Sequence, residues 1–295
     1  MFLLSLLLWS CIYCSSGEKP ANPALPYQSN VPDKTLDMPK ELEEISGLSL
    51  SDDGKYLLAV QDEKGIVFYL DKNTGAVVRE VKFWEDGDFE GIEAVGKDVY
   101  VVKSSGTIYQ VSNEGKDIQK YKLGLSSEND VEGLAYDAKN NRLLLSCKAQ
   151  AGKGAEYHQK RGIYAFDLNT KTLSTEPVLV IDGKEVQQYL QQMTPSDDLT
   201  KLLEAFSSDK DELSFAPSAI AIHPKTGDWY ILSSAGKMML VLNSEGKIQS
   251  VEKLKKKIHA QPEGLCFDTD GTMYISNEGR GGEPGKVYVF KGKGE

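Results

Sequence analysis

One short phrase recurs along the chain and narrows what it can fold into. It reads Ile45-Ser-Gly-Leu-Ser-Leu, Phe89-Glu-Gly-Ile-Glu-Ala, Val131-Glu-Gly-Leu-Ala-Tyr, Pro217-Ser-Ala-Ile-Ala-Ile and Pro262-Glu-Gly-Leu-Cys-Phe. A turn rich in Asp, Gly, Asn or Lys follows each copy, then a second apolar run (YLLAV, DVYVV, LLLS, WYIL, MYIS) and a third (IVFYL, TIYQV, GIYAF, MMLVL, KVYVF). Weaker fourth runs follow, such as AVVREVKF and IQSVEKL. Short apolar runs with turn signals, repeating with a period in the forties, are the pattern of a β-propeller with four antiparallel strands per blade. The last copy ends its third run at Val287–Phe290, so Thr35–Met38 is expected to supply the missing outer strand and close the ring.

Five copies predict an all-β, five-bladed β-propeller over residues 34–295. The interval from Glu132 to Ser218 is about two periods, which leaves six blades as the alternative. Within it, Lys184–Phe206 lacks alternation and reads as two short helices broken near Pro195. Ser196 followed by two aspartates is a suitable opening for the second helix. A five-bladed ring with a short helical insertion is therefore expected.

The apolar leader Met1–Tyr13 is too short to cross a bilayer and fits the core of an export signal. Leu8-Trp9-Ser10-Cys11 resembles a bacterial lipobox, which would make Cys11 the lipidated residue, although no Lys or Arg precedes the apolar run. An ordinary cleaved signal peptide is the alternative. Residues 1–14 are thus read as signal and anchor, and 15–33, rich in Ser, Pro, Asn and Ala, as a flexible tether. The expected location is the bacterial cell envelope, with a membrane-anchored lipoprotein facing the periplasm or the surface. Cys147 and Cys266 sit in apolar alternating runs and are expected as buried free thiols.

The chain carries 34 Lys+Arg against 44 Asp+Glu, a net charge of −10, which argues against a nucleic-acid partner. The basic run Lys253–Lys257 reads as a solvated strand edge. No nucleophile elbow, zinc-protease helix, C-x-x-C pair or phosphate-binding loop is present. His223 stands in a hairpin turn and is expected at the surface; His158 stands in a polar loop. Turns such as Asp268-Thr-Asp-Gly lack the spacing of a calcium loop and read as ordinary turns.

Aligning the five phrases places Ser46, Glu90, Glu132, Ser218 and Glu263 at one equivalent position, opening the innermost strand of each blade at one mouth of the channel. Crowded carboxylates repel unless a cation or proton intervenes, so Glu90, Glu132 and Glu263 are candidate ligands for a hard cation, Ca2+ in the first instance. The second strand should return to the same mouth. It brings Asp62 and Glu63, Lys103, Lys148, and Asn277, Glu278 and Arg280, with His259 expected on the same rim. A structural role for the Glu-Gly pairs, bonding and packing against the neighbouring blade, is the competing reading.

The phrases EISGLSLS, DFEGIEAV, DVEGLAYD, FAPSAIAIHP and QPEGLCFDTDGTMYISNEG, together with the leader, resemble the SdiA-regulated (YjiK-like) family across about residues 34–292. The resemblance implies a five-bladed propeller of the bacterial envelope and no established reaction. By fold-level analogy, gluconolactonase and β-propeller phytase types hold calcium with comparable acidic residues. Two functions are carried forward. One is a monomeric, lipid-anchored propeller that binds a ligand or envelope protein at its channel mouth, with a structural Ca2+. The alternative is a metal-dependent hydrolase of a phosphoester or lactone.

Overall fold

The computed structural model describes residues 19–152, 154–207 and 213–293; Cys11 and the leader lie outside them. The first strand, β1 (Lys34–Asp37), belongs to the last blade. Blade one is β2 (Ile45–Leu50), β3 (Tyr56–Gln61), β4 (Ile66–Asp71) and β5 (Val77–Lys82). Blade two is β6 (Phe89–Val95), β7 (Asp98–Lys103), β8 (Thr107–Ser112) and β9 (Asp117–Lys122). Blade three is β10 (Val131–Asp137), β11 (Arg142–Gln150), β12 (Lys160–Asp167) and two short outer pieces, β13 (Thr172–Leu173) and β14 (Leu179–Asp182), that both pair with β12. Blade four is β15 (Pro217–Ile222), β16 (Trp229–Ser233), β17 (Met238–Leu242) and β18 (Ile248–Lys253). Blade five is β19 (Pro262–Phe267), β20 (Met273–Asn277), β21 (Lys286–Phe290) and then β1.

Five antiparallel sheets therefore form a five-bladed propeller. β1 runs antiparallel to β21, from Lys34 opposite Val289 to Asp37 opposite Lys286, so the two ends of the repeat share one sheet. The split outer edge of blade three leads into α1 (Gly183–Gln191) and α2 (Asp197–Ala205). Asp182 caps α1, and the Ser196 hydroxyl accepts from Leu199 N at 3.1 Å to cap α2. Val186 and Leu190 of α1 and Leu199, Leu202 and Ala205 of α2 are the apolar stripes that pack on the seam between blades three and four.

Because each blade is covered on both faces, the core is divided into five seams. Phe83, Phe89 and Tyr109 fill the seam between blades one and two, and their rings meet edge to face. Cys147 lies buried in the next seam and Cys266 in the seam between blades five and one, both as free thiols.

Residues 19–33 do not behave as the flexible tether the composition suggested. They form a strap across the outer wall of blade four. Lys19 Nζ donates to Gln191 O at 2.7 Å, Asn22 Nδ2 to Val251 O at 2.6 Å, and Ser250 Oγ to Pro23 O at 2.6 Å. Tyr27 is buried among Tyr230, Phe267 and His223, and its hydroxyl donates to Gly271 O at 2.6 Å. Beneath the strap His223 is buried rather than exposed, with Nε2 on Tyr27 Oη at 2.9 Å. Each strap contact satisfies a backbone or side-chain group that an open blade edge would leave to solvent.

At the axis the five innermost strands touch in a closed ring. A Cβ on Gly264 would lie 2.5 Å from Ser46 O and 2.8 Å from Leu48 Cβ; one on Gly47 would lie 2.7 Å from Glu90 O. Glycine at this place is what lets neighbouring strands approach. Gly264→Val is accordingly expected to lower stability by about 3 kcal/mol or more, since the clash is with backbone that cannot swing aside. Urea unfolding against wild type measures it, and an unchanged midpoint would show that the ring is looser than its geometry.

Candidate functional site

The ladder between the first two strands slips once in every blade, at the same place. Phe89 faces Lys103, but Gly91 faces Val102, so Glu90 is the extra residue. The same slip makes Glu132, Ser218 and Glu263 extra in blades three, four and five, and in blade one it falls between Ile45 and Leu48, at Ser46 and Gly47. A bulge lifts one residue out of the pleat and re-aims its side chain. Glu90, Glu132 and Glu263 thereby line the central cavity with Gly47, Gly91, Gly133 and Gly264. That cavity holds only about 10 Å³, room for one water at most, so ligand chemistry is confined to the mouth above it.

Three polar tiers surround the mouth. The bulge residues form one. The residue that follows the second strand's partner of Ile45, Phe89, Val131, Pro217 or Pro262 forms another: Asp62, Ser104, Lys148, Ser234 and Glu278. The third was not singled out from the sequence, although the repeat carries it two residues before each bulge: Glu44, Asp88, Asp130, Ala216 and Gln261. Backbone bonds stitch the tiers together. Lys148 N donates to Asp130 O at 2.8 Å and Glu278 N to Gln261 O at 3.0 Å. Between blades, Phe89 N donates to Asp62 O and Val131 N to Ser104 O, each at 2.9 Å.

In these tiers Lys148 is the only basic residue against carboxyls from four blades; blade four contributes none. Its ammonium donates to Glu132 Oε1 at 2.8 Å and stands 3.9 Å from Asp130. The protein thus supplies one cation to the carboxylate ring itself. Burial still pushes Glu132 up despite that partner. Burial, then Glu132 and Asp88, pushes Glu90 well above the carboxylate range. Glu263 is pushed up to about 8 by burial and then by Glu132 and Glu278, and Glu278 to about 7 by burial and then by Asp62 and Glu44. Protons relieve the repulsion that Lys148 leaves.

Several buried atoms here have no protein partner: Ser46 Oγ, Asp62 Oδ1, Gln261 Oε1, Glu263 Oε2, and both Oδ1 and Nδ2 of Asn277. Ser46, Asn277 and Glu263 are only 2%, 3% and 7% exposed, so bulk water does not serve them. Other expected site residues are engaged or peripheral. Ser218 Oγ donates to Pro262 O at 2.7 Å, a bond between blades four and five. Lys103 Nζ sits 5.3 Å from the centre of the Phe89 ring, and Glu63 and Arg280 are exposed. His259 is not on the rim: it is fully buried, its Nε2 2.6 Å from Ser29 O of the strap and its ring against Tyr288 and Phe290.

For calcium, the donor set was the question. Among the described residues no three or more Asp, Glu, His or Cys side chains are grouped as metal ligands. Carboxyls, amides and hydroxyls are instead spread around the mouth, with an ammonium already on Glu132.

The family model described as SdiA-regulated matches residues 24–151 and 175–291, and the chain belongs to that family. Among solved structures it is similar to a glutaminyl cyclase of Myxococcus xanthus, at 12% identity and a TM-score of 0.58, over 88% of this chain and 95% of that one. A luciferin-regenerating enzyme matches at 9% identity and 0.50 over 88% and 96%, and a nidogen/laminin complex at 11% and 0.50 over 79% and 72%. At these identities the likeness is one of fold.

The raised carboxyls set a pH dependence. The folded chain holds protons on Glu90, Glu263 and Glu278 that the unfolded chain releases near the ordinary glutamate value of about 4.3, so their contribution is full at low pH and declines as pH rises, through about 7 for Glu278, about 8 for Glu263 and higher for Glu90. His259, held down to about 4 by burial, acts on the acid side: its contribution is lost as pH falls below about 6.5. The melting temperature is expected to fall between about pH 6 and pH 9, and Glu263→Gln to make that fall shallower. A flat profile in wild type would mean that these carboxyls are ionised in the fold.

Proposed function

We propose that this member of the SdiA-regulated family is a binding protein that seats a small polar molecule over its channel mouth. The observation that supports it is the cluster of buried, unpartnered atoms on Ser46, Gln261, Glu263 and Asn277 with Asp62. Each such atom costs about 1–3 kcal/mol when left unsatisfied, and a ligand that bonds them recovers that cost. The reading as metal-dependent hydrolase has less support. Lys148 occupies Glu132, and His259, expected on the rim, is buried beneath the strap. A structural Ca2+ would have to enter against Lys148, and it is the competing arm of the test.

Export and lipid attachment at Cys11 belong to the same proposal, supported by the Leu8-Trp9-Ser10-Cys11 motif. The strap begins at Lys19, eight residues after Cys11. A lipid on that thiol would hold the wall of blade four within about 28 Å of the membrane, the full reach of eight extended residues.

Asn277→Leu separates a binding role from a structural one. If the amide serves a ligand, replacing it with an apolar group of similar size removes an unsatisfied pair, and the ligand-free protein should melt on the order of 3 °C higher. If the amide holds the blade together, the same variant melts lower and the binding role is lost. Calcium and EDTA titrations on wild type complete the test: a melting temperature raised by calcium, and not in Glu132→Gln, would return the metal to the site.

A further inference from the structure

The unpartnered atoms at the mouth are unequal in kind. Gln261 Oε1 and Asn277 Oδ1 can only accept, as can Asp62 Oδ1 and Glu263 Oε2 once their carboxyls are ionised; Ser46 Oγ can do either, and Asn277 Nδ2 alone only donates. A ligand matching this set must bring mainly N–H or O–H donors. Charge narrows the choice. On the blade-three side, the Lys148 ammonium already answers Glu132 and Asp130. On the side of blades five and one, Glu278 faces Glu263, Asp62 and Glu44; Arg280 and Lys148 act on it from a distance, and none of Glu263, Glu278 and Asp62 has an ion pair within 4 Å among the described residues.

We infer that the mouth binds an organic cation, an ammonium or guanidinium compound, whose N–H groups bond Glu263, Asp62, Asn277 and Ser46 and supply the second positive charge that the ring lacks. This rests on the mouth being a ligand site. Lys148 on Glu132 is the internal precedent: a protein ammonium holds in blade three the place that the ligand's would hold between blades five and one. An ammonium offers three donors and a guanidinium five, with directions that suit separated acceptors. Among the described residues no three or more Asp, Glu, His or Cys side chains group as ligands of a divalent ion, whereas a guanidinium or a compound with more than one amine reaches acceptors that lie apart.

The inference carries a proton balance. Glu263 faces Glu90, Glu132, Glu278, Lys148 and the Ser234 hydroxyl, and Lys237 approaches it from blade four. Without a cation beside it the carboxyl holds a proton near neutral pH. A cation seated beside it favours the carboxylate, so the proton passes to solvent as the ligand binds, and binding should tighten as pH rises to about 8.

Isothermal titration calorimetry of the purified protein tests this with agmatine and spermidine as probes. Sorbitol, citrate and calcium chloride serve as neutral, anionic and metal comparisons. The expected result is saturable binding of an amine probe at one site, tighter at pH 8.5 than at pH 6.5 by about threefold or more, with proton release seen as a buffer-dependent heat. Glu263→Gln should weaken it about tenfold and reduce the pH dependence to what Glu278 leaves. Lys148→Met, which leaves Glu132 without its ammonium, should tighten it. Should sorbitol or citrate bind in a Glu263-sensitive manner while amines do not, the mouth remains a ligand site and the cation assignment fails. Calcium binding alone would replace the organic cation with a metal. Amine binding that Glu263→Gln leaves unchanged, or no binding by any probe, overturns the inference; the Asn277→Leu melting shift reports separately on whether the mouth is a site at all.

Discussion

Close approach at the axis is the constraint on which the molecule depends. Five blades leave little room at the centre, and the innermost strands pass so near one another that Gly47, Gly91, Gly133 and Gly264 have no space for a Cβ without displacing a neighbour. Blade four reaches the same end with Ala219. The crowding closes the channel to about 10 Å³, and it places the bulge residue of each strand beside its counterparts. Glutamate at three of those bulges is therefore a consequence with a cost: three carboxyls gathered where water is nearly excluded. Lys148, protons and neighbouring hydroxyls answer that cost only in part.

Ring closure is the second dependence. β1 joins the start of the chain to β21, and the strap adds a further set of bonds over the outer wall of blade four, from Lys19 to Asn30. Two histidines owe their state to it. Burial under the strap holds both toward the neutral imidazole: Tyr27 covers His223, and His259 is sealed in beside Ser29, whose carbonyl stands against its Nε2. Their chemistry is thereby assigned to holding the strap, at the wall of the propeller and away from the mouth.

Features that follow from periodicity were legible in the sequence. The blade count, the closing strand near Thr35–Met38, the helix break at Pro195 with its Ser196 cap, and the buried thiols all follow from alternation and turn chemistry. The strap was not legible, because residues 19–33 have a tether's composition and their partners lie more than 160 residues away. With the strap unseen, His223 and His259 were assigned to the surface and the rim. Most of the mouth was read from aligning the bulge residues with the ends of the second strands. Glu44, Asp88, Asp130 and Gln261 stand two positions before the Glu-Gly core, outside the alternating apolar run, and with Ala216 in blade four they share no single residue type that would mark them as a set.

Pseudo-fivefold repetition would give a mouth of uniform character, and the departures from it are what create a directional site. Blade four offers Ala216, Ser218 and Ser234 where the other blades offer charge, and Ser218 is occupied in bonding blade five. Blade three carries its own ammonium. Blade two commits the Ser104 hydroxyl to Asp88. Apart from Ser146 Oγ in blade three, the unanswered atoms around the axis fall in one arc, blades five and one, where Asn277 and Glu263 are nearly sealed from solvent and Asp62 and Glu278 raise the local negative potential. A repeat that had been optimised for stability alone would have filled that arc with serine or alanine, as blade four does. Keeping polar groups there against the crowding of the axis is the argument that the arc serves something the chain does not itself contain.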